Sequence, residues 1–281
     1  MRPFARGGMS KLIVSIVVYR SPLPVLERNL ICLRQAGENA VARNLIEEVR
    51  AILVDNASGE EYKRQLQSLV CRHQEQGFGL QLVMRPDNGG YGLGHNEVST
   101  APEDFRLVLN PDVFLEPQSL VAGLAFLHAH PQVGLVVPWA EDELGVPLFL
   151  CKRYPSVLVL GLRGFAPSWL KRAFRGLLEK YEMRDVDFST ARRDLEVISG
   201  CCLLLRGKLW QEMGGFDHRY FLYFEDFDFS LRARRITQVA YLPEFRIVHL
   251  GGNAARKGWR HRIWFVRSAA KFFNQYGWRW I

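Results

Sequence analysis

The chain has no apolar run near the roughly 18 residues that span a bilayer as a helix. The polar, basic stretch from Met1 to Lys11 is followed only by Leu12 to Tyr19, too short for the apolar part of a signal peptide. These absences point to a cytoplasmic protein, one able to work at the inner face of the cell membrane. Met9 is a candidate natural start, with residues 1–10 a flexible extension. Cysteine is scarce as well. The five, at positions 32, 71, 151, 201 and 202, are odd in number and form no C-x-x-C pair. That argues against a disulfide framework or a zinc site and for reduced, mostly buried thiols. Internal repeats and low-complexity stretches are missing, and so is any recognisable nucleic-acid reading motif. Acidic residues are outnumbered, 29 against 37 Lys plus Arg. The surplus of +8 admits anionic partners such as nucleotides or lipid head groups.

What the chain does have is apolar residue, 48% of 281, enough for a sizeable core. Leu12 to Tyr19 reads as a fully buried strand, and Val49 to Val54, Leu80 to Met84, Phe105 to Leu109 and Val133 to Val137 follow as further strands. Helical segments from the Ser21-Pro22-Leu23-Pro24 turn to about Gln35, Glu60 to Gln76, Leu93 to Ala101 and Pro117 to His130 alternate with them. This rhythm predicts an α/β fold, a doubly wound and mostly parallel sheet. The polar clusters at 55–59, 87–92 and 110–112 all follow strands and should gather on one edge of it, where ligands of such sheets sit. After residue 140 the rhythm changes. Residues 141–194 are irregular, and a strand from Leu195 to Arg206 breaks at Gly200. A helix begins at Glu225, two short strands cover 238–242 and 245–249, and a basic, aromatic helix starts near Gly258. No linker is visible, which favours one continuous domain.

Five stretches carry chemistry. Leu107 to Leu109 ends in Asn110-Pro111-Asp112, where a proline-fixed kink offers an amide and a carboxylate to a cation or a ribose, or simply stops the strand. Asp55, with Asn56 and Ser58 as helix caps, is either a nucleoside contact or an ordinary N-cap. Asn88-Gly89-Gly90-Tyr91-Gly92-Leu93-Gly94-His95-Asn96 opens a helix without a Walker lysine. Glu225-Asp226-Phe227-Asp228 crowds three carboxylates at a helix start. One of them would serve as a general base, with its pKa raised by its neighbours. His249, between Ile247-Val248 and Leu250-Gly251-Gly252, is a ligand or a structural histidine.

In order and spacing, these motifs together with Ser199-Gly200, Gly214-Gly215-Phe216-Asp217 and Phe221 to Phe224 resemble the inverting family 2 glycosyltransferases of GT-A fold, in particular the rhamnosyltransferase-like branch. The resemblance covers residues 10–275 and is weakest between 140 and 194. It implies a GT-A domain over 11–281, with 11–140 the nucleotide-sugar half and 141–281 the acceptor half. It implies Asp226 as the catalytic base beside Glu225. It gives Tyr19, Asp55, Asn88, Gly90, Asn96, Asn110 and Gly200 as nucleotide-sugar contacts, and Asp112 and His249 as ligands of a divalent cation, Mg2+ or Mn2+. The partners implied are a dTDP- or UDP-sugar and a glycan or lipid-linked acceptor. Arg20 departs from the family pattern of Thr-Tyr-Asn after the first strand. One rival reading is a nucleotidyltransferase, which should show a basic glycine-rich loop where Ser21 to Pro24 stands. The other is a non-catalytic nucleotide-sugar-binding protein, which has no need of both Asp112 and Asp226. The mixed apolar and basic segments 157–175 and 259–280 suggest a peripheral membrane contact, or rings packed under the sheet with a solvated cationic face.

Overall fold

The computed structural model describes residues 10–193, 195–251 and 259–281. In chain order the elements are β1 (Leu12–Val18), α1 (Leu23–Ala42), β2 (Val49–Asp55), α2 (Glu60–Glu75), β3 (Leu80–Met84), α3 (Tyr91–Asn96), β4 (Phe105–Leu109), β5 (Val113–Leu115), α4 (Ser119–Ala129) and β6 (Val133–Glu141). They continue with β7 (Pro147–Leu148), β8 (Cys151–Lys152), α5 (Val157–Phe165), α6 (Ser168–Ala173), α7 (Arg175–Tyr181), β9 (Val197–Ile198) and β10 (Cys202–Arg206). The last four are α8 (Gly207–Met213), α9 (Glu225–Ala233), β11 (Gln238–His249) and α10 (Trp259–Tyr276).

The fold is the expected α/β. Strands β3, β2, β1 and β4 lie side by side and parallel, and the large sheet continues through β10, β6, β11 and β5. β10 runs antiparallel to both β4 and β6, and β6 and β11 pair parallel again beyond it, so the sheet is mixed and mostly parallel. Register explains why the polar clusters converge. Val18 pairs with Asp55, Asp55 with Met84, and Ile16 with Leu109, so the chain leaves all four strands at one edge.

Every residue of β1 is buried, as a strand covered on both faces requires. Side chains alternate across it. Leu12, Val14, Ile16 and Val18 pack with Leu30 of α1, Leu66 of α2 and Leu124 of α4. The opposite face, further along the sheet, packs Val108, Leu203 and Leu205 against Trp210 of α8 and Phe229 of α9. Arg106 is buried in β4, where it donates to the carbonyls of His95 and Val98 and to the Thr100 hydroxyl, with its guanidinium 3.8 Å from the Trp210 ring centre. Burial holds its pKa down at about 9. These bonds pin the turn that ends α3.

Several boundaries differ from the sequence reading. α3 stops at Asn96 instead of Ala101, because Arg106 takes up the carbonyls that a longer helix would use. The two short strands expected at 238–242 and 245–249 are one long β11, irregular between Leu242 and Arg246. The strand expected from Leu195 is split, with β9 pairing β8 in a separate two-stranded sheet. Residues 141–194, read as irregular, hold three short helices. β10 lies between β4 and β6, so the chain before and after residue 140 interleaves in one sheet. The N-terminal extension lies, but for Ser10, outside the described residues. Among the described residues no helix is long and apolar enough to cross a membrane. Among the described residues no disulfide joins any of the five cysteines.

Candidate active site

The strand edge is built from turns that bond to one another. Asp55 ends β2 and accepts from the Ser58 backbone N–H at 3.2 Å and from the Ser58 hydroxyl. Asn56 donates to the Gly90 carbonyl at 2.8 Å, which ties the cluster at 55–59 to the one at 87–92. The expectation that Asn56 and Ser58 cap α2 therefore fails: the N-cap is Gly59, with no side-chain cap, and both side chains are used inside the turn network. Arg20 joins the same network, its backbone N–H donating to the Ser58 hydroxyl at 2.9 Å. Tyr19 beside it is 49% exposed, open to a ligand ring.

The glycine-rich loop is shaped by one close approach. Gly90 has φ +88°, and a Cβ there would run into the Phe221 carbonyl. Tyr91 donates its N–H to that carbonyl at 3.0 Å and its hydroxyl to the Gly200 carbonyl at 2.6 Å. Asn88 accepts from the Gly90 N–H within the loop. Asn96 is spent elsewhere. Its amide oxygen accepts from the Phe216 N–H at 2.9 Å and its nitrogen donates to the Phe216 carbonyl at 2.8 Å. It fixes the Gly215–Phe216 turn.

Beyond β4, Asn110 donates its N–H to the Cys201 carbonyl at 2.9 Å, and its side-chain oxygen is buried without a hydrogen-bond partner among the described residues. β5 runs antiparallel to β11 with Val113 opposite His249. That pairing brings the Asp112 carboxylate to 3.5 Å from His249 Nε2. Burial works against a charged imidazole, but Cys201 and Asp112 outweigh it and carry the His249 pKa up to about 10. Among the described residues no group of three or more His, Cys, Asp or Glu side chains is placed to hold a metal.

The three carboxylates of α9 have three different environments. Asp228 is fully buried, accepting from Arg232 at 2.7 Å and from the Tyr276 hydroxyl at 2.7 Å, which fastens α10 to α9. Glu225 is buried with one oxygen unpartnered, and burial, then the Asp226 charge, holds its pKa well above the usual range. Asp226 accepts from the Gly200 N–H and from the Phe227 N–H, each at 3.0 Å. Its pKa is raised to about 6 by burial, not chiefly by its neighbours as the sequence suggested. Asp226 borders a cavity of about 520 Å³ shared with Lys152, Arg163, Phe165, His261 and Phe265. Tyr223 and Phe224, the two residues before α9, both have positive φ, 69° and 66°. A bulky pair in that conformation is held by its surroundings, here the ring cluster of Tyr220, Phe224 and Phe272.

Gly200 and Cys201 are thus the joint between the two sides. Gly200 holds Asp226 on the cavity side, and Cys201 holds Asn110 at the strand edge. The geometry unites a row of strand-end polar groups, an Asp–His pair and a buried carboxylate of raised pKa. No family model matches the chain. The chain is 27% identical over 255 residues to the N-acetylglucosaminyl-diphospho-decaprenol L-rhamnosyltransferase of Mycobacterium tuberculosis, across 86% of this chain and 76% of that protein. It is 23% identical to the rhamnosyltransferase WbbL of Escherichia coli, across 77% and 84%. Its fold superposes with TM-score 0.59 on the mannosyltransferase PcManGT of Pyrobaculum calidifontis, solved with GDP-Man and Mn2+, at 15% identity. That match covers 94% of this chain and 64% of the other. The chain is a GT-A glycosyltransferase similar to the rhamnosyltransferases of family 2.

In this transferase the expected residues separate into two groups. Asp55, Asn88, Gly90, Asn110, Asp112 and His249 lie on one connected edge, and Gly200 links it to Asp226. Lys152 and His261 were not singled out from the sequence, and Arg163 was noted only within the mixed apolar and basic segment 157–175. Arg163 on α5 and His261 on α10 reach the cavity because both helices pack beside the start of α9, and Lys152 reaches it from β8.

Proposed function

We propose that the transferase moves a sugar, rhamnose or another deoxyhexose, from a dTDP- or UDP-sugar to a hydroxyl of a glycan or lipid-linked acceptor in cell-surface polysaccharide synthesis. The observation that carries this reading is Asp226, a carboxylate with pKa about 6 between the strand edge and a cavity large enough for a sugar. Ionised near neutral pH, it takes the proton of the acceptor hydroxyl as that oxygen attacks the anomeric carbon and the nucleoside diphosphate leaves. Configuration at that carbon inverts. A positioned base of this kind contributes ~10²–10⁴-fold in rate. The Gly200 N–H and the Phe227 N–H orient the carboxylate.

Asp112 and His249 would hold a divalent cation, Mg2+ or Mn2+. Their donor set fits one, a carboxylate and an imidazole facing each other, with phosphate oxygens left to complete the coordination. The cation supplies charge neutralisation for the departing diphosphate. Asn110, with its unpartnered side-chain oxygen, and Tyr19, with its open ring, would contact the sugar nucleotide. Asp55 shapes the turn that receives it.

The relative from M. tuberculosis is named for an acceptor on a diphospho-decaprenol, which supports a lipid-linked acceptor here. Trp259, Ile263 and Val266 are exposed on one face of α10, and Phe165 and Trp169 are exposed on α5 and α6. Rings on such surfaces suit a membrane interface. The test is thermal stabilisation of the protein by dTDP, UDP, GDP and CMP, each with Mg2+, Mn2+ or EDTA. One nucleoside diphosphate should raise the midpoint in a metal-dependent way. A well-folded protein indifferent to all of them would sink the reading.

A further inference from the structure

Asp226 is held from two directions. It accepts the Phe227 N–H within its own helix and the Gly200 N–H from the chain before β10, each at 3.0 Å. The first bond comes with the start of α9. The second holds only as well as Gly200 is held, and Gly200 has no side chain to anchor it. Its neighbours set the course of the chain, with the Ser199 N–H on the Leu150 carbonyl and the Asn110 N–H on the Cys201 carbonyl, both at 2.9 Å. The tilt of residue 200 itself is left to its own carbonyl. The Tyr91 hydroxyl donates to that oxygen at 2.6 Å. A Cβ on Gly200 would stand 3.0 Å from the Asp226 Cβ and 3.7 Å from Cε1 of Tyr91, so the glycine lies packed between the two.

Tyr91 is itself fixed at several points. Its ring centre lies 4.4 Å from that of His95, edge-on, and 5.7 Å from that of Phe216. Its N–H donates to the Phe221 carbonyl at 3.0 Å, in the loop that leads into α9. Burial, with Cys201, Glu225 and Asp226 acting the same way, holds its pKa well above the ordinary value, so the hydroxyl remains a donor. One residue thus bonds to both stretches that carry the base. We propose that Tyr91 is a positioning residue for Asp226: its hydroxyl holds the Gly200 carbonyl and thereby aims the Gly200 N–H at the carboxylate. This rests on the reading of Asp226 as the base and adds the glycine-rich loop, through Tyr91, to what supports it. A phenylalanine would supply the ring contacts but not this bond.

The experiment is an NMR titration of the full chain with isotope-labelled aspartate carboxyls, in EDTA and without nucleotide. The Asp226 signal is the one that Asp226→Asn removes. Tyr91→Phe keeps the ring contacts and the N–H bond to Phe221, so the fold should be kept. Burial raises the Asp226 pKa and the Gly200 N–H pulls against it, so freeing that N–H lets the carboxyl titrate at higher pH. The midpoint should rise by about one pH unit in Tyr91→Phe, the order expected for one hydrogen bond to a carboxylate. The other titratable groups around Asp226 are Glu225 of α9, Lys152 of β8, Arg163 and Tyr181 of α5 and α7, and His261 and Arg262 of α10, all unaltered. Gly200→Ala is the second variant. Gly200 is not among the glycines of positive φ, and the added Cβ crowds Asp226 while the Tyr91 hydroxyl stays. Its midpoint should move the same way. Melting midpoints with dTDP or UDP and Mn2+ are read on the same samples. Tyr91→Phe should keep the stabilisation of the full chain, because the Asn56 and Asn88 bonds to Gly90 that shape the loop remain.

An unmoved Asp226 midpoint in Tyr91→Phe overturns the proposal, even where the variant melts lower, since the ring alone then matters. If Tyr91→Phe does not fold, Gly200→Ala decides: a raised midpoint supports the proposal and an unmoved one overturns it. A raised midpoint in Tyr91→Phe together with lost nucleoside diphosphate stabilisation also overturns it, because the hydroxyl then serves the strand edge as a whole. Indifference of every sample, the full chain included, to both nucleoside diphosphates removes the transferase reading. The titration still reports on the line from Tyr91 through Gly200 to Asp226 in that case, so the two failures stay apart.

Discussion

The strand edge and the cavity beyond Asp226 are built on opposite principles. At the edge, polar side chains are small and bonded to neighbouring turns. Asp55 is held by Ser58, Asn56 by Gly90 and Asn96 by Phe216. In the cavity, long cations from three short helices stand among rings, some paired and some not. The edge is rigid because parallel strands in register place its turns, and each turn then has a partner at a fixed distance. The cavity depends on side-chain packing of α5 and α10 around Phe224 and Phe272.

Substitutions can break this comparison at either end. The largest effect should come from Asp226→Asn, a loss of roughly 10²–10⁴-fold in turnover. Stabilisation by nucleoside diphosphate with metal should remain, since the edge is untouched. Loss of both together would show that the two sides are not separable. Asp112→Asn should instead abolish the metal-dependent part of that stabilisation, read in the same thermal-shift measurement.

Asp228→Ala should cost about 3 kcal/mol of folding stability, measured by denaturant unfolding, because it breaks a buried pair with Arg232 and frees Tyr276. Its effect should fall on the cavity through α10 and not on the edge. A smaller effect follows from the raised pKa of Asp226. Its stabilising contribution is full below the unfolded value near 3.8 and is lost as pH rises through about 6. Asp226→Asn should therefore melt a few degrees higher than the native chain at pH 7.5, roughly 2–4 °C, with the gap closing toward pH 4. Native turnover should climb over the same window as the base ionises. Smallest for the fold is Trp169→Ala with Trp259→Ala. The melting midpoint should stay within about 1 °C, as exposed positions allow, while co-sedimentation with vesicles drops.

The polar strand edge was largely legible in the sequence. Val54-Asp55-Asn56, Asn88-Gly89-Gly90 and Asn110-Pro111-Asp112 each follow an apolar run. Parallel strands oblige such clusters to meet at one edge. The Asp112–His249 pair was legible only through resemblance, because the two stand far apart in the chain and are joined by the antiparallel β5–β11 pairing, which no local pattern announces. The bonds of Asn96 to Phe216 were hidden for a related reason, since the two are 120 residues apart. Glu225, Asp226 and Asp228 look alike in a string of letters. Burial, Arg232 and the Gly200 N–H tell them apart.

By itself, then, the sequence determined the alternation of strand and helix, the polar strand ends and the helix that begins at Glu225. Local chain chemistry is enough for these, through apolar periodicity, proline kinks and glycine turns. Tertiary structure alone decided that Glu225 and Asp226 line the cavity while Asp228 is spent on Arg232 and Tyr276. It also decided that Gly200 and Cys201 join the two sides, and that Lys152, Arg163 and Lys171 share a basin. Those outcomes depend on distances between residues far apart in the chain, and only the packing of α5, α9 and α10 sets them.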